Sequence, residues 1–416
     1  MLGYRYRLSL TAEQDERLAQ WVGCARVVYN AALQQRQVAW REYGVSLRYN
    51  DQGASDLTDA KRAFPWLADP HCDVLQQALR DLDRAYVNFF EGRAGPPRFR
   101  RKGAAESIRI QNRTAGKITA RRLNRRWGEL RVPKLGTVRF RWTRQPIGEI
   151  HHLTLTRSIT GWHVSLACDG PAGTTAAPQR GAVGIDRGVS ATVALSTGEL
   201  HRCPGLSPGQ ARRLRRLARK AGRQETARRH RSADQRRRSR RHQQTLDHIA
   251  HLRARETLIR DDFLHKLTSD IAKSHGTVVI EDLRVRSMTR SARGTIEHPG
   301  VRVAQKRGLN RSILTQGWGR LEQMLTYKLA MTHSELLKVP AAYTSQTCSA
   351  CGSIDPRSRI SQATFRCVAC GHAANADVNA AQNILAAGLA VTARGAHGEE
   401  AGAMNREPPE GLADAA

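Results

Sequence analysis

The sequence predicts a multidomain α+β protein. Its first half combines packed helices with an antiparallel β-barrel or sandwich; its second is an α/β domain carrying a four-cysteine zinc ribbon. Three observations lead there. At 416 residues the chain is too long for one simple domain, and roughly two to four domains are expected. The apolar spacing changes from helical to alternating and back, with the linker-like stretch "PAGTTAAPQR" (171–180) between the two halves. Finally, Cys348-x2-Cys351-x15-Cys367-x2-Cys370 fits the four-cysteine zinc pattern.

Taken in order, residues 4–9 read as a strand, and "TAEQ" from Thr11 to Gln14 fits a capping box that starts a helix. Leu18, Trp21, Val22, Ala25, Val28, Tyr29 and Ala32 follow at helical spacing, as do Leu75, Ala78, Leu79, Leu82, Tyr86, Phe89 and Phe90. Both stripes are expected in a core, on helices packed face to face. The loop "EGRAGPPRFRRKG" ends this helical stretch. The short β runs "IRIQN", "KITARR", "ELRVP", "TVRFRW", "HLTLTRS" and "WHVSLAC" come next, several with Arg on the polar alternation. After the linker, "GAVGIDRGVSATVALSTGEL" reads as two β runs joined by a turn. An Arg-dense helical segment follows, and then the apolar stripe Leu246, Ile249, Leu252, Leu258, Ile259, Phe263, Leu267 and Ile271. The buried strand "HGTVVIEDL" ends in two acids. From Arg394 the chain is Gly/Ala/Glu/Pro-rich without periodicity and is expected to be disordered.

Composition narrows the function. Lys+Arg 68 against Asp+Glu 37 leaves a net charge of +31, which repels itself in a compact state unless a polyanion neutralises it. Much of the excess is Arg, whose planar fork matches phosphate oxygens, so nucleic acid is the expected partner. No apolar run is long enough to span a bilayer, and "MLGYRYRLSL" lacks the pattern of a secretory signal. A cytosolic protein with no membrane partner is expected. In that reducing setting Cys24, Cys72, Cys168 and Cys203 read as small buried hydrophobes rather than disulfide partners.

The matched knuckles "CSACGS" and "CVACGH" each place a Gly, Gly352 or Gly371, where the chain must turn tightly round a metal. A redox dithiol competes with zinc, but two knuckles favour Zn²⁺, and four thiolates close its tetrahedron to substrate. His372 could replace a ligand, yet four cysteines already suffice. The chemistry must lie elsewhere. Asp186 alone reads as a turn residue, Glu281 as a strand-end acid, and Asp377 as an N-cap or first-turn acid of a helix. Together they make a pattern. Acids at strand C-terminal ends and an adjacent helix start can converge on one crevice of an open α/β sheet. Three carboxylates suit Mg²⁺, and two such ions about 4 Å apart can activate water and stabilise a leaving oxygen in phosphodiester hydrolysis.

"GIDRG", "VVIEDL" and "NADVNAAQNIL" resemble the three RuvC motifs of the TnpB family, transposon-encoded RNA-guided DNA endonucleases related to the type V CRISPR effectors. The likeness extends to "GCARVVYNAAL", "GLNRSILTQGWGRLEQMLTYKL" and "AYTSQTCSACG", and so covers nearly the whole chain except the tail. It implies an RNase H-like nuclease domain at 181–342 and 375–393, with a basic helical insert at 207–270 against the heteroduplex and a zinc ribbon at 343–374. A β-barrel wedge at 1–10 and 92–170 would carry a helical recognition segment at 11–91; 171–180 would be a linker and 394–416 a disordered tail. Asp186, Glu281 and Asp377 would hold two Mg²⁺ (or Mn²⁺), and Cys348, Cys351, Cys367 and Cys370 one structural Zn²⁺. The partners implied are a guide RNA and double-stranded target DNA, in the nucleoid-associated cytoplasm of a prokaryote. Arg98, Arg100, Arg101 and Lys102 are candidate phosphate contacts. The chain departs from the family at Asn375-Ala376-Asp377, where many relatives carry acidic-Arg-Asp.

We find no helix-turn-helix signature that would read long DNA by base contacts, so sequence choice is expected to rest with the guide while the protein checks a short flanking motif. Two other readings stand beside this one. A strand-transferring transposase could share the fold, but the ribbon within the third motif favours the guided nuclease. A nuclease-inactive RNA-guided repressor should have lost at least one acid, and all three are present. Monomer or dimer is left open.

Overall fold

The computed structural model describes residues 2–53, 56–103, 106–112, 117–170, 181–230, 238–295 and 297–403, with side chains to residue 392. The chain divides into two units, Met1–Gly173 and Thr174–Ala416. The expected linker 171–180 lies outside the described residues.

In the first unit, strand β1 (Leu2–Ser9) buries alternate residues Tyr4, Tyr6 and Leu8 and leaves Arg5 and Arg7 in solvent. Helix α1 (Ala12–Tyr43) starts where expected: Thr11 and Gln14 exchange side-chain to backbone hydrogen bonds in a capping box. Its buried stripe faces α4 (Cys72–Phe90), reached through the short helices α2 (Tyr49–Gly53) and α3 (Asp56–Ala63). The Trp21 indole donates to Asp69 at 2.7 Å, which lets a large ring be buried without stranding its N–H. The second stripe is shorter than the spacing predicts. Leu75, Ala78, Leu79 and Leu82 are buried, but Phe90 is 75% exposed and stacks on Tyr86 and Phe89 instead. Tyr86 still packs against the core, and Phe89 and Phe90 lie beyond the turns that α4 packs away.

Six more strands follow: β2 (Ser107–Gln111), β3 (Thr119–Arg122), β4 (Trp127–Val132), β5 (Gly136–Arg141), β6 (Ile150–Ser158) and β7 (Gly161–Cys168). The sheet is antiparallel, ordered β2-β6-β7-β1-β5-β4-β3. β1 is shared between two ladders, Leu2–Arg7 pairing with β7 and Leu8–Ser9 with β5. Among the described residues no pairing joins the outer strands β2 and β3. One core joins sheet and helices; each fully buried aliphatic or aromatic side chain in it contributes about 1.5–3 kcal/mol.

The second unit is built on a five-stranded mixed sheet, ordered β10-β9-β8-β11-β12. Its strands are β8 (Ala182–Asp186), β9 (Val193–Leu195), β10 (Leu200–His201), β11 (Thr277–Glu281) and β12 (Glu335–Val339). β8, β11 and β12 are parallel, and β9 returns antiparallel to β8. Between β10 and β11 run the basic helices α5 (Pro208–Arg229) and α6 (Arg240–Ser274); between β11 and β12 run α7 (Val285–Met288), α8 (Val303–Gln316) and α9 (Trp318–Met331). α6 and α9 cover one face, with Leu264, Leu267, Ile271, Leu321, Met324 and Leu325 against Val183, Ile185, Val278 and Ile280. Leu258, expected in the α6 stripe, is 59% exposed.

The hairpin β13 (Thr364–Arg366) and β14 (Ala373–Asn375) leads into α10 (Ala376–Ala403), which covers the other face. Its backbone comes so close to β8 that a Cβ on Gly184 would lie 2.1 Å from the Ala381 carbonyl. α10 continues past Arg394, where a disordered tail was expected to begin: the alanine-rich "ARGAHGEEAGA" carries no proline to stop it. Residues 404–416 lie outside the described set. Of the four scattered cysteines, Cys24 and Cys168 are buried as expected, but Cys72 is exposed and Cys203 half-buried, since Cys72 opens α4 and Cys203 lies in the loop after β10.

Candidate active site

Strand alternation brings two of the three acids to one face. Val183 and Ile185 of β8, and Val278 and Ile280 of β11, all point into the core under α6 and α9. The intervening positions, Gly184 and Asp186, Val279 and Glu281, therefore face the side that α10 covers. Ile185 is opposite Ile280 in the parallel ladder, so Asp186 and Glu281 end adjacent strands side by side. α10 places Ala381 over Gly184 and Gly388 over Val279. Since Gly184 and Val279 are partners in the ladder, α10 crosses from β8 to β11, and Asp377 in its first turn stands beside the loop after Asp186, its Oδ2 3.8 Å from where a Cβ on Gly188 would lie.

Asp377 is not the cap of that helix. The Asn375 side chain takes the role, its Oδ1 accepting from the N–H groups of Asp377 at 3.0 Å and Val378 at 3.3 Å. The Asp377 carboxylate is left to face the site.

The electrostatics show how closely the three groups interact. Burial, then the fields of Glu281 and Asp377, push the Asp186 carboxyl up to about 7, against weaker opposing effects from Arg359 and its bond to the Arg187 N–H. Burial also raises Asp377, while the Arg359 guanidinium, 3.5 Å away, pulls the other way. Glu281, 7% exposed, accepts a hydrogen bond from the Thr344 hydroxyl at 2.6 Å. Beneath it, the buried Arg187 donates to the Glu281 carbonyl and pairs with Glu322 at 3.1 Å, fixing both strand ends. Burial raises the Glu322 carboxyl, but hydrogen bonds from Lys338 and Arg187 outweigh it and hold it below its ordinary value. The three acids do not form a set whose oxygens all lie within 4.8 Å of one another, as befits like charges with Thr344 and Arg359 drawing two of them aside.

The four ribbon cysteines do close into such a set. Cys348 and Cys370, and Cys351 and Cys367, stand 3.7 Å apart at sulfur. Sulfurs at about 2.3 Å from a tetrahedral zinc would be about 3.8 Å apart, so the residues fit that ion. Gly352 and Gly371 both have φ of 75°, the left-handed turn that each knuckle requires. Backbone N–H groups, first that of Cys370, point at the Cys367 sulfur and bring its thiol down to about 6, favouring the thiolate a metal binds. His372 is not in the set.

The ribbon is tied to α10 by two asparagines one turn apart. Asn379 accepts from the Ser349 N–H at 2.9 Å and donates to the Thr347 carbonyl at 2.8 Å; Asn383 donates to the Thr344 and Thr347 carbonyls at 2.9 and 2.7 Å. The zinc knuckle therefore sets the position of the helix that carries Asp377, and Thr344 links the same segment to Glu281. Asn379, Asn383, Thr344, Arg187 and Arg359 were not picked out from sequence. The i, i+4 amides within an apolar helix were a readable signal; Arg359 carried none.

The candidate phosphate contacts separate. Arg100 is committed to Asp81 at 3.0 Å and lies over the Tyr29 ring, while Arg98, Arg101 and Lys102 are exposed. A denser cationic face lies on α5, where Arg212, Arg215, Arg216, Arg219 and Arg223 line one side and only Ala221 is buried. Among the described residues, no helix is long and apolar enough to cross a membrane.

Comparison with known proteins agrees with this organisation. Residues 163–292 match a family described as a probable transposase, and 318–384 a Cas12f1-like TNB domain. Residues 1–44 match a family described as a helix-turn-helix domain, a match our reading of the sequence did not anticipate. In the structure that span holds strand β1 and the single helix α1. The chain is similar in fold to Cas12f1 in a cryo-EM Cas12f1–sgRNA–target DNA complex, with TM-score 0.53 and 15% identity over 90% of this chain and 83% of that one. It is 35% identical to a putative RNA-guided DNA endonuclease of Streptomyces pristinaespiralis, covering 94% of this chain and 90% of the relative. It is 36% identical over 409 residues to the putative RNA-guided DNA endonuclease InsQ of Escherichia coli K12, covering 98% of this chain and 97% of that one. With that identity sustained along its whole length, the chain belongs to the TnpB family.

Proposed function

We propose that this protein is an RNA-guided DNA endonuclease of a prokaryotic transposable element, hydrolysing phosphodiesters at Asp186, Glu281 and Asp377. The observation that carries the proposal is the convergence of these three acids, with Glu281 and Asp377 adding to burial in raising the Asp186 carboxyl to about 7. A carboxyl raised this far in a cleft shared with two other acids suits a site that takes a cation. The three carboxylates would hold Mg²⁺, as a pair, or Mn²⁺, which when bound supplies positive charge to a phosphate and its leaving oxygen. The chain's own groups do the positioning. Thr344 orients Glu281, Arg359 steadies Asp377 beside the path of a phosphate, and the ribbon, holding zinc on its four cysteines, anchors α10 through Asn379 and Asn383.

The sheet of the second unit would be a RuvC-like, RNase H-type nuclease domain, and the first unit a wedge-like barrel with its helical segment. Guide RNA and target DNA account for the +31 charge, with sequence read by base pairing and the protein reading a short flanking motif. The test is plasmid cleavage in Mg²⁺ with matched and scrambled guides. Cutting is expected only where a guide match adjoins the motif, and Asp186→Ala, Glu281→Ala and Asp377→Ala should each abolish it while sparing binding. Equal site-specific cutting without RNA would favour the transposase reading.

A further inference from the structure

A groove of about 490 Å³ lies between α8 and the segment preceding it, within the range of sites that take small organic ligands, about 300–1,000 Å³. Its lining is mixed in a telling way. Arg293, Arg307 and Arg311 bring three guanidinium groups; Val303 and Leu314 bring apolar surface, with Leu314 59% exposed. No carboxylate among the described residues pairs with any of the three arginines. Arg307 and Arg311 are one turn apart on α8 and line the same groove. Asn310 lines the groove as well. Its Nδ2 donates to the Thr289 and Arg290 carbonyls at 2.9 and 3.1 Å, which leaves its buried Oδ1 without a donor.

The groove is joined at both ends to elements that carry the acids. Gln316, at the end of α8, donates to the Val189 carbonyl at 3.2 Å and accepts from the Thr192 hydroxyl at 2.6 Å, on the loop that follows Asp186. Lys306, near its start, donates at 2.8 Å to the carbonyl of Met288, a few residues beyond Glu281.

Cations alone would bind any phosphate. Cations flanking exposed aliphatic surface fit a nucleotide whose base is unstacked and unpaired, because only then is a base face free to lie on Leu314 and Val303. We propose that this groove seats one nucleotide of the DNA strand being fed to the carboxylates, with its phosphates on Arg307, Arg311 and Arg293. This rests on the nuclease reading.

The experiment uses the full, zinc-loaded chain without added Mg²⁺ or Mn²⁺, so that nothing is cut, and a short single-stranded DNA carrying one 5-iododeoxyuridine. Ultraviolet cross-linking followed by mass spectrometry should map the base to the peptide spanning 289–315. The Arg307→Gln/Arg311→Gln variant, which changes only exposed positions to another good helix former, should lose the cross-link at an unchanged melting temperature. Its affinity for single-stranded DNA should fall about tenfold, and the slope of log K against log salt by about 1.4, at about 0.7 per single-strand phosphate. Duplex binding should change less than about twofold. Equal loss for single strand and duplex, or a cross-link elsewhere, would overturn the assignment. So would preferential cross-linking of the same oligonucleotide made as RNA, which would place guide RNA in the groove. None of these readouts needs cleavage, so a protein that fails the guided plasmid assay could still pass here, and the two failures are distinguishable.

Discussion

Replacing Asp186 by Asn should stabilise the protein in the absence of Mg²⁺, and by an amount that the site dictates. The wild-type carboxyl ionises at about 7 in the folded chain against an ordinary 3.8, because it is buried between Glu281 and Asp377. Between those two values the native state holds a proton that the unfolded state has released. Stability therefore falls as pH rises, by up to about 1.4 kcal/mol per pH unit, and the loss is complete above pH 7 at about 4 kcal/mol. Asn keeps the shape and cannot ionise, so the variant should show no such slope. Urea unfolding of the zinc-loaded proteins without added Mg²⁺ at pH 4, 6 and 8 measures this: the two proteins should match at pH 4 and diverge by a few kcal/mol at pH 8, with the variant the more stable. Saturating Mg²⁺ should narrow or reverse the gap at pH 8, since cation binding requires the ionised acid. Equal stability at pH 8 without Mg²⁺ would mean that the three carboxylates do not share a site, and the reasoning would fail.

Three further outcomes follow from the geometry. Cys367→Ser should lower bound zinc from about one per chain towards none by elemental analysis and expose the 343–374 segment to protease; native folded protein free of zinc would refute the ribbon assignment. Thr344→Val, which removes the hydroxyl bonded to Glu281, should slow guided cleavage about 10–100-fold with zinc content unchanged, and a wild-type single-turnover rate would remove Thr344 from the site. Gly184→Ala should cost about 3 kcal/mol or more in chemical denaturation, because its Cβ would lie 2.1 Å from the Ala381 carbonyl and backbone must move; a change under about 1 kcal/mol would mean that α10 packs less closely on β8.

Much of this protein is legible in the chain itself. Periodicity is a local property, so the alternation of Tyr4, Tyr6 and Leu8, the Thr11–Gln14 capping box and the buried stripe of α1 all appear in the structure. The zinc knuckles were equally readable, since their ligands sit two residues apart and a short loop leaves them few other arrangements. The stripe of α4 misled at its end for a related reason: spacing shows which face is apolar, not how far along the helix a partner reaches, and Phe90 lies beyond that reach.

The carboxylates mark the boundary between the two kinds of information. The sequence by itself determined that three acids end two strands and start a helix, because strand alternation and the helix start are written within a few residues of each. Only the tertiary structure decided which face of the sheet each acid takes, that α10 crosses from β8 to β11 and brings Asp377 beside the loop after Asp186, and that Asn375 relieves Asp377 of capping. Thr344 and Arg359 belong to the same class. They reach Glu281 and Asp377 across 63 and 18 residues of chain, and no local pattern encodes a contact made by folding the ribbon back on its own helix.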